Sequence, residues 1–453
     1  LILTACPIID VADLFPSDPP SDPPPDPPPD PPPDPPPDPP PPPPEDGDDT
    51  KVIADWDVVP GQVINSSFNV GVVAFHETGV NVQFKVNDTN TQMIGSPTYN
   101  PRTDVFEYWF EFNPANYSDG AVTVSAVAFP DDNDYQPRIL EDIILYANSG
   151  GSLTNNTVVW ADCNNGSDST GNGTEGNPYQ TIERAYNDAG SGGTVYLKAG
   201  LNYSVTNTLS ARNYSRWTTI SAAPGVQKEQ IKILGGNFGE PNVRWREVRL
   251  CKPDTTGTFG TIMSFSTGHD TWFENVDMYD EGGHWGSGQT FNPNDVNIYI
   301  IDSVIHDIGN VCLEVQLSRN VSVNTVGADV ARGKTDMTAI NINIDNIDPS
   351  PGAHADILQF YNPGRTVENV ILYNFKVTNM RNQGIFGARE DGPAKDIAFV
   401  NLLFQQDPED TVHNSQVNHF DHMIVWHSTF INTGILTRNP NLTNLDVRNN
   451  ILK

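Results

Sequence analysis

The residues best suited to do chemistry lie between positions 332 and 389. His354 and Asp356 are two residues apart in a strand-like stretch, so their side chains are expected to share one face. A histidine that is oriented by a carboxylate is a common general base. Cations and amides that neighbouring turns would bring to the same face are Arg332, Lys334, Arg381 and Gln383, and Arg389 and Gln359 are further candidates. This composition predicts a site for an acidic substrate.

The expected reaction is the β-elimination of a uronic-acid polysaccharide. Arg381 or Arg389 would neutralise the sugar carboxylate, which makes the neighbouring C5 proton acidic enough for His354 to remove, with Asp356 orienting the histidine. The predicted substrate-binding residues are Arg332, Lys334, Gln359 and Gln383. Gln359 has the wrong parity to join Asp356 unless the strand bends between them. The primary hypothesis is therefore a polysaccharide lyase.

Calcium is the one cofactor that the sequence suggests. Asp345, Asp348 and Asp356 supply hard oxygen ligands of the kind that Ca²⁺ takes. Asp345 and Asp348 also lie near Pro349 and Pro351, where aspartate is favoured in turns for its backbone contacts. The spacing is thus compatible with a metal site or with a turn.

Two other functions fit the same residues. A glycoside hydrolase would use paired carboxylates, Asp356 with Glu314 or Asp345, about 5.5 Å apart in a retaining enzyme and about 6.5–9.5 Å apart in an inverting one. A surface adhesin or glycan-binding protein would need no convergent titratable groups. Because one fold can host any of these, the fold does not decide among them.

A repeat in the second half of the chain predicts the element that positions these residues. Asn or Asp followed by alternating aliphatic residues recurs with first aliphatic positions 276, 296, 321, 370, 397, 423 and 445, and the interval of 49 indicates two turns. The skipped turn is expected at Thr338–Ile344. This period predicts a solenoid whose turns stack about 4.8 Å apart over a shared core, with the recurring Asn forming a side-chain ladder at a corner.

The entry of this region carries a resemblance to a known family. The segments 166–182, Glu183-Arg184-Ala185-Tyr186 and 192–200 resemble the start of secreted right-handed parallel β-helix proteins of the pectate-lyase-like superfamily, including the chondroitinase B and alginate lyase group. The resemblance implies a right-handed parallel β-helix over residues 158–453, truncated at its C-terminus. Asn177 is expected to cap, and Pro178 to begin, a helix that ends at Gly190 and plugs the open end. The catalytic motifs of typical pectate lyases, polygalacturonases and chondroitinase B are not recognisable here, so no family catalytic residue carries over.

The first 157 residues predict an anchor, a stalk and a second domain. Residues 1–6 resemble the end of a bacterial lipoprotein signal, with Cys6 as the lipidated residue. Residues 7–50 include Asp-Pro-Pro-Pro repeats that predict a polyproline II linker, about 3.1 Å long per residue. Alternating strands in residues 51–148 predict an immunoglobulin-like β-sandwich, acting as a spacer or a glycan-binding module, and 149–157 form a linker.

The composition bounds the partners. The chain has 453 residues with a formal net charge of −32 and a pI near 4.3. This charge argues against nucleic acid and against electrostatic adhesion to anionic lipid. The sequence thus predicts a mainly β, exported lipoprotein on the bacterial surface or outer membrane. It is expected to be a monomer that acts on an acidic polysaccharide and is held to the membrane only by its N-terminal lipid.

Overall fold

A computed structural model describes most of the chain after the proline-rich segment. The described residues are 51–153, 157–205, 214–238, 242–252, 261–265, 270–283, 289–292, 297–309, 313–349, 355–360, 364–381, 383–387, 390, 392–408, 415–436 and 443–453. The predictions for Cys6 and for the linker in 7–50 lie outside them. None of the helices in these ranges has the length and apolar character of a membrane-spanning segment.

Residues 53–147 form a β-sandwich of two sheets. One sheet contains β1 (Ile53–Trp56), β3 (Phe68–Phe75), β6 (Thr98–Asn100) and β7 (Val105–Phe112). The other contains β2 (Val63–Ile64), β4 (Val80–Val86), β5 (Thr89–Ile94), β8 (Gly120–Pro130), β9 (Arg138–Ile139) and β10 (Ile143–Ala147). Every pair is antiparallel except β2 with β10. Alternate residues of β4 are buried, as expected for strands with one face on a core.

A short helix closes the start of the next domain. Helix α1 (Ile182–Ala189) buries Ile182, Ala185, Tyr186 and Ala189 in the core that continues through the rest of the chain. Its N-cap is Thr181, whose hydroxyl accepts a hydrogen bond from the Arg184 amide at 3.2 Å. The predictions of Asn177 as the cap and of Pro178 as the first helical residue are therefore wrong, although the helix ends before Gly190 as predicted. Asn177 instead donates its side-chain amide to the Thr170 carbonyl at 3.1 Å, which ties 177–181 to the preceding loop.

The remaining strands confirm the predicted parallel β-helix. The strands of its first sheet are β11 (Val158–Ala161), β12 (Thr194–Leu197), β14 (Thr218–Ala222), β17 (Val243–Arg246), β20 (Thr271–Glu274), β23 (Ile298–Ile301), β31 (Ala394–Val400), β34 (Phe420–Trp426) and β37 (Thr443–Arg448). Three long strands bend from the first sheet into the second: β25 (Leu317–Val326), β27 (Met337–Ile347) and β29 (Val367–Met380).

Two further sheets complete each turn. The second consists of β13 (Gly200–Ser204), β15 (Ile231–Leu234), β18 (Arg249–Lys252), β21 (Asp277–Asp280), β24 (Val304–Ile308), β32 (Leu403–Gln406), β35 (Thr429–Ile431) and β38 (Ile451–Leu452), with the ends of the long strands. The third has two separate parts that are not paired with each other. One part is β16 (Gly236–Phe238), β19 (Thr261–Phe265) and β22 (Gln289–Asn292), and the other is β26 (Ala331–Arg332), β28 (Asp356–Gln359), β30 (Gln383–Phe386), β33 (Ser415–Gln416) and β36 (Ile435–Leu436). All their pairings are parallel, and one apolar core runs from α1 to Phe430.

The corner between the first and second sheets contains an asparagine ladder of the predicted kind, although Asn320 is its only member that belongs to the predicted repeat. Asn320, Asn341, Asn374 and Asn401 all have positive φ values, between 54° and 55°. Asn341 donates to Asn320 at 3.1 Å, Asn374 donates to Asn341 at 2.9 Å, and Asn401 donates to Asn374. Asparagine adopts this left-handed conformation more readily than other side-chain-bearing residues, so the corner needs it for its backbone as well as for its amide.

The copies of the predicted repeat do not all occupy the same position in the turns of the solenoid. Thr338–Ile344 lies inside β27, so the turn expected there is present. However, Val321 pairs with Ile342, whereas Val370 pairs with Met337, which lies earlier in the same strand β27. The interval of 49 therefore joins two non-equivalent positions. Both positions have the same local pattern because each follows a residue with positive φ, Asn320 in one case and Asn369 in the other.

The sandwich packs directly on the first sheet of the solenoid. Asn369 uses its side-chain amide to accept from the Ala54 amide at 3.1 Å and to donate to the Ala54 carbonyl at 3.0 Å. Trp217 donates to the Pro60 carbonyl at 2.6 Å, and Arg319 donates to the Asp57 carbonyl at 3.0 Å. An apolar cluster joins Ile53, Val73 and Val105 of the sandwich to Ile340, Ile371, Ala398 and Ile424 of the solenoid. The sandwich is therefore packed against the solenoid, unlike a spacer joined to it only through a linker.

A buried charged group lies in the same contact. His422 Nδ1 is 2.8 Å from Asp396 Oδ1, and its Nε2 is 3.5 Å from Glu77 Oε2 of the sandwich. His422 is 1% exposed, and burial alone would lower its pKa. The two carboxylates outweigh burial and raise the pKa of His422 to about 9.

We expect the ladder to contribute through both its bonds and its backbone. Asn374→Ala loses the hydrogen bonds to Asn341 and Asn401 and must hold alanine at a φ of 54°. The combined cost is about 2–3 kcal/mol. Asn374→Gly loses the same bonds without the steric cost at positive φ. The melting temperature should fall in the order wild type, Gly variant, Ala variant, and an Ala variant at least as stable as the Gly variant would contradict the role of the backbone.

His422 should make stability depend on pH in a defined window. Its pKa is raised in the folded state, so its contribution is complete below the unfolded value of 6.5 and is lost as the pH rises towards about 9. His422→Asn keeps a side chain that tolerates the positive φ of this position. We expect the variant to melt well below the wild type at pH 6 and close to it at pH 9.5. His427→Asn, at a φ of 54°, is the matched control and should not show this converging pattern.

Candidate functional site

A break in strand alternation creates a polar shelf on the outside of the third sheet. Ile357 and Leu358 are consecutive, yet both lie in the solenoid core. The residues on either side of them, Asp356 and Gln359, therefore point to the same outer side. Gln359 Nε2 donates to Asp356 Oδ2 at 3.2 Å. This is the bend that the sequence analysis required for Gln359 to join Asp356.

The preceding turn brings a second carboxylate to the shelf. Ala331 pairs with Leu358 and Arg332 pairs with Gln359, which places Asp329 beside Asp356. Asp329 Oδ1 accepts the backbone amide of Asp356 at 3.2 Å, and Arg332 Nη2 is 3.6 Å from Asp329 Oδ2. Asp329 and Asp356 are 6% and 0% exposed. The shelf thus holds two adjacent, buried carboxyl groups with a guanidinium at one side.

Glu314 extends the shelf by one more turn. Leu313 bridges to Ala331, so Glu314 lies in the row that continues through Arg332 and Gln359. Burial raises the pKa of Glu314, and the positive charges of Arg332 and Lys334 act in the opposite direction. Predicted residues Arg332, Lys334 and Gln359 are therefore gathered around Glu314, Asp329 and Asp356.

Asp356 has the most unusual protonation in this group. Burial is the main cause that raises its pKa, the charge of Asp329 adds to it, and the bond from Gln359 opposes it. The resulting pKa of Asp356 is about 8. A carboxyl group with this pKa is mostly protonated at neutral pH, so it can give a proton to a bound substrate.

Gln383 lies next to the polar shelf, whereas Arg381 lies on a different sheet. Gln383 pairs with Asp356 in the next turn, as predicted, and is 4% exposed. Arg381 instead lies at the end of the second sheet, with Nη1 2.8 Å from Asp348 Oδ1 and Nε 3.1 Å from Asp407 Oδ2. Two carboxylates thus take up the charge that was expected to neutralise a sugar.

The three predicted calcium ligands have different partners. Asp345 accepts hydrogen bonds from Thr378 and Asn379, each at 2.8 Å, and Asp348 binds Arg381. Asp356 lies on the third sheet with Asp329. Within the described part of the chain, no three His, Cys, Asp or Glu side chains are arranged to hold a metal ion.

Two predicted site residues lie outside the described part of the chain, and one residue of the shelf, Asp329, was not predicted. His354 and Arg389 fall outside the described residues. Asp329 was missed because no repeat copy was recognised in that turn. A signal was present: Asp329-Val330-Ala331-Arg332 and Asp356-Ile357-Leu358-Gln359 share the order acidic, aliphatic, aliphatic, polar.

Comparison with known proteins leaves the function open. No family model matches the sequence, and no curated protein matches it. Among solved structures, a selenomethionine derivative of a GH136 lacto-N-biosidase from Eubacterium ramulus has a TM-score of 0.34 and 8% identity, covering 64% of this chain and 68% of that chain. The native form of that enzyme has a TM-score of 0.27 and 7% identity over the same shares. Similarity at this level carries no argument about this protein's chemistry.

The raised pKa of Asp356 predicts how its removal affects stability. The folded protein holds this proton more tightly than the unfolded chain, so Asp356 lowers stability progressively as the pH rises from about 4 to about 8. Asp356→Asn removes that effect. We expect its melting temperature to exceed that of the wild type at pH 8.5 and the difference to shrink towards pH 4. Asp421→Asn, the same change at a half-exposed solenoid position, should show no such gain.

Proposed function

We propose that the protein is a glycoside hydrolase in which Asp356 is the general acid and Asp329 is the second carboxylate. The observation that carries the proposal is the adjacent pair itself, with a pKa of about 8 for Asp356. Two carboxyl groups in different environments are the usual means by which a glycosidase holds one proton donor and one charged group. Asp329, which faces Arg332 and a backbone amide, is suited to the charged role.

The spacing of the turns favours a retaining mechanism. Neighbouring parallel strands are about 4.8 Å apart, and retaining glycosidases hold their carboxyl groups about 5–5.5 Å apart. Asp356 would protonate the glycosidic oxygen while Asp329 attacks the anomeric carbon, and Asp356 would then accept a proton from the water that releases the sugar. Glu314, one of the two partners predicted for Asp356, lies one turn further away than Asp329.

The substrate class follows from the cations beside the pair. Arg332 and Lys334 both act on Glu314, so the shelf presents positive charge next to its carboxyl groups. This arrangement suits a glycan with acidic groups, as the sequence analysis expected. Because Asp356 is buried, the glycan must displace the groups that cover it before the proton can be transferred.

A lyase acting on the same glycans is the second candidate. The same Arg332 and Lys334 support it, because cations next to a sugar carboxylate assist proton removal. Its proposed base, His354, and one of its cations, Arg389, lie outside the described residues, and Arg381 is paired with Asp348 and Asp407. The hydrolase is preferred because Asp356 has the protonation that a general acid needs, whereas Arg381 is paired with two carboxylates.

The experiment measures both chemistries on the same samples. The protein is incubated with acidic and neutral polysaccharides, and released reducing ends are measured together with the absorbance near 235 nm that β-elimination produces. We expect reducing ends without absorbance, a loss of about 10²–10⁴-fold in kcat for Asp356→Asn, and near wild-type kcat for Asp421→Asn. Activity should fall as the pH rises above about 8, because Asp356 then loses its proton.

Separate outcomes identify the alternatives. A rise in absorbance on any substrate would establish the lyase, and loss of that rise with EDTA would show that the reaction needs a divalent cation. Full activity in both Asp356→Asn and Asp329→Asn would exclude the shelf as the active site. Proton NMR of the first-formed sugar tests the retaining mechanism, since an inverted anomer would contradict the role given to Asp329.

A further inference from the structure

A cavity lies where the sandwich meets the solenoid. Its volume is about 470 Å³, within the range of about 300–1,000 Å³ that is typical of small-molecule sites. Both domains line it. Its carboxylates are Asp55, Glu141, Asp142, Asp270 and Asp336, and Arg138 is the cation among its described lining residues.

The charges in this cavity are not balanced. Arg138 is already paired with Asp336. Asp55 accepts a hydrogen bond from the Thr338 hydroxyl at 2.7 Å, and Asp270 accepts from the Asn297 amide at 3.2 Å, but both of these donors are neutral. Lys334 lies close enough to act electrostatically on Asp270. Burial raises the pKa of Asp55 to about 7 and also raises the pKa of Asp270, so a bound cation would favour the charged form of both carboxyl groups.

Tyr299 gives an independent sign of a ligand. Its side chain lines the cavity and is 5% exposed, and within the described residues its hydroxyl has no hydrogen-bond partner. Buried tyrosine hydroxyls are usually bonded. Burial raises the pKa of Tyr299, and the charges of Asp270, Asp55 and Glu141 raise it further, so these three carboxylates lie close enough to act electrostatically on the hydroxyl. An open hydroxyl among carboxylates is a ready partner for a group that carries several N–H donors.

We propose that this cavity binds a small organic cation with a primary ammonium group, of the size of an amino sugar. The ammonium would lie among Asp55, Glu141 and Asp270 and donate one of its hydrogens to the Tyr299 hydroxyl. Trp56 supplies an apolar ring to the cavity wall, which suits the carbon skeleton of such a ligand. The site is distinct from the Asp329–Asp356 pair, so it does not depend on the function proposed for that pair.

A metal ion is the competing occupant, and the structure favours it less. The cavity is far larger than one ion, and its wall includes Trp56, Leu317 and Ile143, which offer no metal ligands. The carboxylates of the described residues also do not form a group arranged for a metal. An organic cation uses both the charges and the apolar wall.

The test compares two sugars that differ only in charge. Calorimetric titration of the full chain at pH 7.5 and low salt uses 6-amino-6-deoxyglucose, with glucose as the neutral match and calcium chloride as the metal arm. We expect binding of the amino sugar only. Asp270→Asn should weaken it by about tenfold, since an ionic hydrogen bond is lost. Tyr299→Phe should weaken it several-fold. Asp134→Asn, the same charge change on an exposed sandwich loop, should leave it unchanged.

Each contrary result has a clear meaning. Equal binding of glucose, or no binding of the amino sugar, would refute a cation site. Equal affinities in Asp270→Asn and Asp134→Asn would place any binding elsewhere. Calcium binding that Asp270→Asn abolishes would replace the organic cation by a metal. Tyr299→Phe keeps the ring packed against Trp217 and changes only the hydroxyl, so it tests the cavity even if Asp270→Asn does not fold.

Discussion

The solenoid depends on the return of each turn into register with the turn before it. Parallel strands can exchange backbone hydrogen bonds only if every turn closes at the same place, although the turn from Ile233 to Leu250 is much shorter than the one from Ile344 to Val377. Residues with positive φ at the corners fix that closure. Asn320, Asn341 and Asn374 repeat the conformation in successive turns, and their side-chain amides link the turns. Differences in length are then confined to the connections outside the sheets.

The sandwich covers apolar residues on the outer side of the first sheet. In this sheet Val370, Ile371 and Leu372 are all buried, so the usual alternation between a core side and a solvent side is absent. Ile371, Ala398 and Ile424 form one outward row, and the sandwich covers it. The sandwich covers the outer side of the first sheet, and the polar residues of the shelf lie on the third sheet. The division explains why the carboxyl pair and the sandwich lie on different faces.

The sequence predicted the periodic parts of the structure and missed the places where periodicity fails. Alternation in the segment 338–344 identified a strand that the motif had skipped. The recurring asparagine indicated corners with positive φ, but it combined two different corners, those of Asn320 and Asn369. The bend at Ile357 and Leu358 could not be read from alternation, because two adjacent apolar residues are equally compatible with a strand that is buried on both faces. The helix cap was misplaced for a similar reason, since Asn177 and Thr181 are both good caps and only the loop contacts of Asn177 decide between them. Docking of the sandwich was signalled only by the apolar run around Ile371.

The polar shelf shows what the bend contributes. In a regular strand, Asp356 and Gln359 would face opposite sides, and Asp356 would have either entered the apolar core or lost its contact with Gln359. The inward pair Ile357 and Leu358 keeps the core filled while it brings both polar residues outside. Asp329 then lies one turn away, close enough for its charge to help keep the proton on Asp356. The raised pKa on which the proposed acid role of Asp356 depends therefore follows from two local features, an irregular strand and the spacing of parallel turns.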